Sequence, residues 1–365
     1  MALVGILGHY GGGREFFDGQ TVKTKIVTAE LEAAFGRENV LCLDTYNWRR
    51  HPFGLIAGCI RLIKSSDNVI MLPAHNGLKV FSSLLSLINR LYKKSLHYVV
   101  IGGWLPEHLD SHRITARCLK RFSGIYPETE QMKKALGIRG FNNVSVVPNC
   151  KNIRILAENE LPAAAARPYP LCTFSRVMRE KGIGEAVEAV LSINAEHGPT
   201  FTLDIYGQIE PSQAEWFEAL QAKTGDSVRY MGTVGFDKST EVLKNYTALL
   251  FPTYYDGEGF AGTLIDAMAA GVPVIASDWR YNSEIVVPNK TGIICKAPEG
   301  EAHINAGVLK ESLLCLAEAP EAWNAMRPLC LRQAKRYVPS EALKPLFDAL
   351  IRKSMESTAK KLRKG

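Results

Sequence analysis

The sequence lacks the cysteine patterns that mark zinc-binding and disulfide-rich proteins. Its eight cysteines are spread over 365 residues, no two are closer than fifteen positions, and none forms a Cys-x-x-Cys pair. This spacing excludes a zinc knuckle and a compact disulfide framework. We therefore expect a reducing, cytoplasmic setting.

The chain also lacks a long apolar run. No uninterrupted hydrophobic stretch approaches the roughly 18 to 20 residues that a membrane-spanning helix needs. The segment Met1–Gly8 has no basic flank and leads directly into glycines, so it predicts a buried first strand rather than a signal peptide. We expect a cytoplasmic protein without a spanning helix.

Excess positive charge is absent from most of the second half of the chain. The formal net charge is +7, and residues 1–150 carry 19 Lys and Arg against 11 Asp and Glu, whereas residues 151–365 carry 25 against 26. Within that second part, residues 352–365 hold six basic residues and one acidic residue. Such asymmetry suits a nucleic acid, an anionic membrane surface or an acidic small substrate. Charge alone leaves all three open.

What the sequence does contain is an alternation of strand and helix patterns in two successive series. A proline-bracketed connector, Leu161–Pro170, separates the series, and such alternation predicts α/β domains with doubly wound parallel sheets. Helices are predicted at 22–35, 80–91, 184–193, 213–224, 239–245 and 263–270. Strands are predicted at 3–7, 40–43, 69–72, 98–101, 144–147, 171–174, 201–206, 228–230, 249–251, 274–276 and 292–295.

The first candidate loop follows the first predicted strand and reads Gly8-His9-Tyr10-Gly11-Gly12-Gly13. Glycines let backbone amides approach a phosphate or a sugar. The spacing does not fit the dinucleotide fingerprint, which disfavours a cofactor role. A tight structural turn and a loop that lines a cleft between two domains both remain as interpretations.

Two cations follow the first predicted strand of the second series. Arg176 and Lys181 lie just before a predicted helix. A helix N-terminus favours negative charge, and Arg offers a planar fork while Lys offers a point charge, so together they suit a diphosphate. A solvated basic turn is the alternative.

A glycine-rich acidic loop lies further along the same series. Glu258 stands between two glycines, and Asp266 follows eight residues later in the predicted helix. Acids that bracket exposed amides suit an anionic, hydroxylated ligand. Asp266 also fits a capping box with Thr263, and Asp256 with Glu258 offers an acidic pair for a metal. We expect no metal, because no supporting ligand cluster lies nearby.

These motifs resemble the retaining glycosyltransferases of the GT-B fold, the glycosyl transferases group 1 family. The resemblance covers nearly the whole chain and is most specific in its second half. It rests on Arg176 with Lys181-Gly182, on Glu258-Gly259-Phe260, on Asp266-Ala267-Met268-Ala269-Ala270-Gly271-Val272-Pro273-Val274, and on Val147-Pro148-Asn149, Tyr206-Gly207, Met231-Gly232 and Glu284.

The resemblance implies two Rossmann-like domains that face a cleft. Residues 1–165 would bind the acceptor and residues 166–340 the nucleotide-sugar donor, while a helix over about 341–365 would cross back to the first domain. Arg176 and Lys181 would hold the donor diphosphate in place of a metal, Glu258 would face the donor sugar, and Asp266 would hold the ribose. Further donor-binding residues implied by the family are Gly207, Met231, Gly259, Phe260, Ala261, Gly262 and Thr263.

The chain departs from the family pattern at several positions. The family usually has Glu at the position of Asp266, and many members carry a histidine where this chain reads Gly102-Gly103-Trp104. His75 is the nearest alternative, although a structural role is open for it. The segment Asp278–Asn282 resembles bacterial capsule and exopolysaccharide enzymes. Candidate acceptor or cleft-loop residues are Gly11, Gly12, Gly13, His75, Gly103 and Trp104.

Two segments leave a membrane contact open. Residues 78–94 form a predicted helix with a wide apolar stripe and a basic end, which suits either a core helix or a surface that meets anionic lipid. At the C-terminus an apolar face precedes the basic run Lys360–Lys364, which suits either a solvated end or a membrane contact.

The sequence thus predicts a metal-independent, retaining glycosyltransferase that uses a nucleotide sugar, with UDP favoured, and no other cofactor. The expected acceptor is a saccharide or lipid-linked saccharide of a bacterial surface polysaccharide such as capsule or lipopolysaccharide. A contact with an anionic membrane surface stays open, and nucleic acid is not an expected partner. Two alternatives are a nucleotide-sugar epimerase of the same fold and a nucleic-acid-binding protein that uses the basic first half.

Overall fold

The computed structural model describes residues 4–14, 19–235 and 237–352. The chain divides into two compact units. Unit 1 comprises the described residues up to Asn152 together with those from Pro339 onward, and unit 2 runs from Ile153 to Val338. Each unit is built around its own parallel sheet.

Unit 1 contains a five-stranded parallel sheet in the order β2-β1-β3-β4-β5. The strands β1 and β3 inside the sheet are buried along their whole length, as expected for a parallel sheet that helices cover on both sides. Consecutive strands are wound outward from β1 in both directions, the doubly wound arrangement predicted from the sequence. The strands are β1 (Val4–Gly8), β2 (Val40–Asp44), β3 (Asn68–Met71), β4 (Ser95–Val99) and β5 (Gly124–Tyr126).

The helices of unit 1 pack around this sheet and bury one apolar side each. In α3, for example, Leu78, Phe81 and Leu85 recur at helical spacing and belong to the core. The helices are α1 (Gly19–Phe35), α2 (Pro52–Ser65), α3 (His75–Tyr92), α4 (Leu105–Ser111), α5 (Arg113–Leu119) and α6 (Glu130–Ile138).

Unit 2 contains a six-stranded parallel sheet with two halves that wind in opposite directions. The strand order is β11-β10-β9-β6-β7-β8, so β6 and β9 lie side by side at the centre. This is the order of a Rossmann fold. The strands are β6 (Tyr169–Phe174), β7 (Phe201–Tyr206), β8 (Val228–Gly232), β9 (Ala248–Phe251), β10 (Val274–Ser277) and β11 (Gly292–Cys295).

The helices of unit 2 lie in two core clusters, one on each side of the sheet. Helix α7 packs with β6 and β7, whereas α10 packs with β9 and β10. The helices are α7 (Ile183–His197), α8 (Ala214–Gln221), α9 (Ser239–Leu243), α10 (Gly262–Ala269), α11 (Asn282–Ile285), α12 (Ala306–Glu318) and α13 (Pro320–Ala334).

The chain returns to unit 1 after α13. Helix α14 (Pro339–Ala342) and the helical residues 344–352 belong to unit 1, where Leu343, Leu346 and Leu350 are buried with residues of β1 and α1. This agrees with a C-terminal segment that packs on the first domain. The basic run Lys360–Lys364 lies outside the described residues.

Three details differ from the sequence prediction. The expected strand at 144–147 is not regular, because Val144 forms only an isolated bridge with Ile125 of β5. The short strand β5 was missed, since three residues that begin with glycine carry little strand signal. Residues 153–165, assigned by sequence to the first domain, lie in unit 2, where the Leu156 amide donates to the Ala269 carbonyl of α10.

Among the described residues, no helix is both long enough and apolar enough to cross a membrane.

Candidate functional site

The centre of the unit 2 sheet creates a natural ligand site. Because β6 and β9 are neighbours while their helical connections leave in opposite directions, the loops after these two strands diverge and leave a crevice at their carboxyl ends. Ligands of doubly wound sheets bind at this switch point. The loop after β6 carries Arg176 and Lys181, and the loop after β9 carries Glu258.

The two loops approach each other closely at Gly182. This residue caps α7 with a left-handed φ of 71°, and a Cβ at this position would lie 2.4 Å from the carbonyl oxygen of Pro252 in the β9 loop. Both the conformation and the contact require glycine. The preceding residue, Lys181, is thereby held against the β9 loop.

Lys181 and Glu258 are in direct contact. The Lys181 Nζ lies 2.5 Å from Glu258 Oε2, and the two side chains are only 12% and 10% exposed. The buried Thr253 hydroxyl donates to the same carboxylate oxygen at 3.0 Å. Residues 77 positions apart in sequence thus form one charged, hydrogen-bonded cluster at the switch point.

Aromatic rings flank the ammonium group of this cluster. The Lys181 Nζ lies 4.9 Å from the ring centre of Tyr255 and 5.6 Å from that of Phe251, both within cation–π range. The Tyr255 amide donates to Thr253 Oγ1. An ammonium group has three donors, so Lys181 can bind Glu258 and phosphate oxygens at the same time.

Arg176 lies on the same loop but in a more open environment. Its guanidinium is 54% exposed and lies 3.1 Å from Glu210 Oε2. Gly207, after β7, packs directly against the backbone of this loop. Only glycine fits there, because a Cβ at this position would lie 1.7 Å from the Ser175 carbonyl oxygen. Gly207 therefore has a clear structural reason beside its predicted ligand role. Met231, in β8, is partly exposed at the same edge of the sheet.

The glycine-rich loop leads into α10, which begins earlier than predicted. Its first residue is Gly262 and its N-cap is Ala261, which makes no side-chain cap. Thr263 is therefore inside the helix, and its hydroxyl donates to the Phe174 carbonyl at the end of β6. The capping-box alternative for Asp266 is wrong, because that box requires Thr263 at the N-cap.

The other residues of this loop and helix differ in burial. Asp266 is buried on α10, whereas Phe260 and Ala261 are buried in the core, with the Phe260 ring 5.2 Å from that of Tyr337. The Phe260 side chain thus anchors the loop by packing in the core. Of the groups of Phe260, only the backbone is in a position to make the predicted contact with the sugar donor. Gly259 and Gly262 lie on either side of these anchors.

The acidic pair considered as a metal site is not assembled. Asp256 is exposed and lies 3.2 Å from the guanidinium of Arg280, while Glu258 binds Lys181. Within residues 4–14, 19–235 and 237–352, no group of three or more His, Cys, Asp and Glu side chains could hold a metal ion.

Unit 1 has its own switch point, between β1 and β3. The glycine loop follows β1, and Gly11, Gly12 and Gly13 all have positive φ angles. The Asp44 carboxylate at the end of β2 accepts the amides of Tyr10 and Gly12. Asp44 was not selected from the sequence, because one acid at a strand end gives no signal of the loop it supports.

His75 begins α3 after β3 and belongs to a cluster rather than standing alone. Its Nε2 lies 3.1 Å from His108 Nδ1, and its ring lies 4.8 Å from that of Trp104. His108 in turn stacks on His112 at 4.0 Å. Burial, together with the nearby charges of His112, His75 and Lys79, lowers the pKa of His108 to about 4.

Two further unit 1 candidates, Gly103 and Trp104, lie in the turn next to this cluster. Trp104 Nε1 donates to the Ile101 carbonyl, and Gly103 lies between these residues in the turn after β4. A buried ion pair at 2.5 Å, between Lys23 of α1 and Glu128 after β5, also links the ends of strands in this sheet. Sequence reasoning missed it, since its members are 105 residues apart.

The comparison with protein families matches a segment of unit 2. The family model "Glycosyl transferases group 1" matches residues 162–311. The chain is 30% identical to a glycogen synthase of Mycobacterium tuberculosis over 153 residues. This match covers 40% of this chain and 36% of the glycogen synthase. Over 163 residues it is 32% identical to the amylovoran biosynthesis glycosyltransferase AmsK of Erwinia amylovora, which covers 41% and 37%. The chain thus matches just over a third of the length of each relative.

Solved structures resemble the chain over nearly its full length. A crystal structure of the Anabaena protein HepE in complex with UDP has a TM-score of 0.72 at 14% identity and covers 96% of this chain and 99% of its own. The lipopolysaccharide outer core galactosyltransferase WaaB, in its apo form, has a TM-score of 0.67 at 18% identity, with coverages of 97% and 100%. These likenesses confirm the two Rossmann-like domains of the GT-B fold.

Proposed function

We propose that this chain, whose residues 162–311 match the glycosyl transferases group 1 family model, transfers a sugar from a nucleotide-sugar donor to a saccharide acceptor with retention at the anomeric carbon. The observation that carries the proposal is the Lys181–Glu258 contact at the unit 2 switch point, with Arg176 on the same loop. This arrangement combines cations for a leaving diphosphate with a carboxylate and amides for sugar hydroxyls.

The physical basis is charge stabilisation at the leaving group. When the bond between the sugar and the diphosphate breaks, negative charge builds on the phosphate oxygens. Preorganised cations and amides lower the energy of that charge, and removing one such donor typically costs about 100-fold to 1,000-fold in rate. Arg176 and Lys181 supply two cations on one loop, and Lys181 is already fixed by Glu258 and by Tyr255.

Each remaining residue follows from its place around this centre. Glu258 faces the donor sugar, with its orientation set by Lys181 and Thr253. Asp266, buried on α10, holds the ribose hydroxyls. The amides from Gly259 to Gly262 contact the sugar, and no protein nucleophile is needed if the phosphate or the acceptor manages the proton.

UDP is the nucleotide that we propose for the donor. HepE is described in complex with UDP and with UDP-glucose, and WaaB and AmsK are named for lipopolysaccharide and amylovoran synthesis. By analogy we propose a saccharide acceptor, lipid-linked, of a bacterial surface polysaccharide. Arg176 and Lys181 take the place of a metal ion in this proposal.

A donor panel tests the proposal directly. UDP-, GDP- and ADP-sugars are incubated with the full chain, with and without saccharide acceptors, and products are identified by NMR. We expect slow hydrolysis of one donor class alone, faster turnover with an acceptor, a retained anomeric configuration, and unchanged rates in chelator.

Other outcomes would contradict specific parts of the proposal. Isomerised donor without transfer would favour an epimerase. An inverted product would contradict retention, and complete loss of activity in chelator, restored by a divalent metal, would contradict metal independence. Turnover of no donor in the panel would remove the proposed function.

A further inference from the structure

Two neighbouring helices of unit 1 expose apolar side chains that the core does not use. On α2, Phe53 is 86% exposed, and Ile56 and Ile60 follow at helical spacing on the same face. On α3, Leu87 and Leu91 are 60% and 82% exposed and lie one turn apart. These are large side chains that a solvated helix face rarely carries together.

The two stripes meet in one groove. A cavity of about 380 Å³ is lined by Ile60 of α2 together with Leu87, Ile88 and Leu91 of α3. The groove continues past Arg90 and Tyr92 toward the C-terminal end of α3. The exposed apolar residues therefore form one surface, which we call the α2–α3 face: Phe53, Ile56, Ile60, Leu87 and Leu91.

The stretch of chain that carries this face is strongly basic. Residues 45–106 contain eight Lys and Arg and a single acid, Asp67, so this stretch has a net charge of +7, as large as that of the whole chain. Asp67 pairs with Lys94 at 3.5 Å. In the part of the chain that the structure describes, none of the other seven cations forms an ion pair; they are Arg49, Arg50, Arg61, Lys64, Lys79, Arg90 and Lys93.

We propose that the α2–α3 face docks unit 1 onto an anionic lipid bilayer. Apolar side chains flanked by Lys and Arg match the two layers of such a surface, since the apolar groups enter the acyl boundary and the cations remain among anionic headgroups. Phe53 and Leu91 are the deepest insertions, because they are the most exposed. Arg61, Lys64 and Arg90 lie on the same two helices and supply the headgroup contacts.

The chemistry of the face favours a bilayer over the other anionic surface, a nucleic acid. Phosphate backbones are bound by cations and polar donors, and their contacts leave no use for an exposed Phe and four exposed aliphatic side chains. A membrane requires both classes of residue side by side. Docking on the bilayer would bring unit 1 to the surface that holds the lipid-linked acceptor, and in this respect the proposal rests on the proposed function.

Vesicle cosedimentation of the full chain tests the proposal. One set of vesicles contains phosphatidylcholine alone, and in the other about a third of the lipid is anionic phosphatidylglycerol. We expect the wild type to bind the anionic vesicles at least about tenfold more tightly. The variant F53S/L91S should lose most of its binding to both, and R61S/K64S/R90S should lose the preference for anionic lipid.

Two controls distinguish binding through this face from nonspecific hydrophobic binding and from binding through the basic end of the chain. Ile138→Ser removes an apolar side chain that is 88% exposed on α6, outside the α2–α3 face, and should leave vesicle binding unchanged. A variant with Lys360, Lys361, Arg363 and Lys364 changed to Ser should keep most of the binding. If that variant alone loses binding, the C-terminal run is the membrane contact and the proposal is overturned.

Two further results would also overturn the proposal: no binding of the wild type to anionic vesicles, or full competition by duplex DNA with no effect of F53S/L91S. Donor hydrolysis is measured in parallel and should be unchanged in F53S/L91S. Loss of donor turnover with intact vesicle binding would count against the proposed function and not against the α2–α3 face.

Discussion

The two units place their candidate residues at equivalent points of similar sheets, but only unit 2 joins them into one charged centre. At the β6/β9 switch point, Lys181 and Glu258 are in contact and nearly buried. At the β1/β3 switch point, the glycine loop is tied to Asp44, while His75 contacts other aromatic rings. The candidate residues of unit 2 therefore form a charge pair, whereas those of unit 1 are glycines and aromatic rings, and the buried Lys23–Glu128 ion pair of unit 1 involves none of them.

The difference follows from what each loop must do. A diphosphate requires fixed positive charge, and burying a cation is costly unless a partner neutralises it. Unit 2 provides that partner in Glu258. In the proposed function the unit 1 loop receives a neutral saccharide, which needs no fixed positive charge, and the positive-φ residues Gly11–Gly13 let the backbone approach such a ligand closely.

The largest effect should come from breaking the buried pair. Lys181→Met removes one of the cations proposed to stabilise the leaving diphosphate, so turnover should fall by about 100-fold to 1,000-fold. The substitution also leaves Glu258 buried without its partner. Unfolding free energy should fall as well, by about 3 kcal/mol or more, as is typical when one partner of a buried pair is removed. Steady-state kinetics and chemical denaturation measure the two effects.

A double variant separates chemistry from stability in this test. K181M/E258Q removes both charges, so it should recover most of the lost stability while remaining inactive. Wild-type turnover in either variant would show that the pair is only structural, and the contrast between the units would disappear.

A smaller effect is expected at Asp266. Since the capping-box role is excluded, Asp266→Ala should weaken donor binding by about tenfold, the equivalent of one hydrogen bond to a charged group, with little change in kcat. Calorimetric titration with the nucleotide and a thermal melt of the same variant provide the measurement. A lowered melting temperature with unchanged donor affinity would instead identify Asp266 as a structural residue.

A last effect belongs to unit 1 and depends on pH. The pKa of His108 is lowered to about 4 in the folded protein, against about 6.5 in an unfolded chain. The unfolded state therefore binds the proton first, and stability should fall as pH drops from about 6.5 toward 4. The groups facing His108 are His75, His112 and Lys79. H108Q should flatten the melting temperature over this range; an identical pH profile in wild type and variant would contradict the assignment.

The sequence was most informative where residue type and spacing carry the chemistry. Arg176, Lys181 and Glu258 could be selected because cations before a helix suit a diphosphate, an acid between glycines has no obvious packing or capping role, and all three match the motif of a known family. The order of strands in each series also predicted the parallel sheets, because apolar runs alternate with helical periodicity. The contact between Lys181 and Glu258 could not be predicted, since it depends on the close approach of two loops at Gly182.

Sequence reasoning was weaker where partners are distant and ordinary in type. Asp44, Thr253 and His108 support their loops through hydrogen bonds or ring contacts, and no local pattern distinguishes them from other polar residues. The exposed side of α3 was also left undecided, because an apolar stripe does not reveal whether another element covers it. The structure shows that Leu87 and Leu91 are exposed.

One measurement tests the central claim, that the loop after β6 holds a nucleoside diphosphate. UDP, with GDP and ADP alongside, is titrated calorimetrically into the wild type, Arg176→Ala and the matched control Arg154→Ala. Arg154 is 58% exposed and ion-paired in the same unit, much as Arg176 is 54% exposed and ion-paired, so neither substitution should change stability by more than about 1 kcal/mol. We predict that Arg176→Ala weakens nucleotide binding by at least about tenfold while Arg154→Ala binds as the wild type does. Equal affinities in all three proteins, or no nucleotide binding by the wild type, would contradict the account.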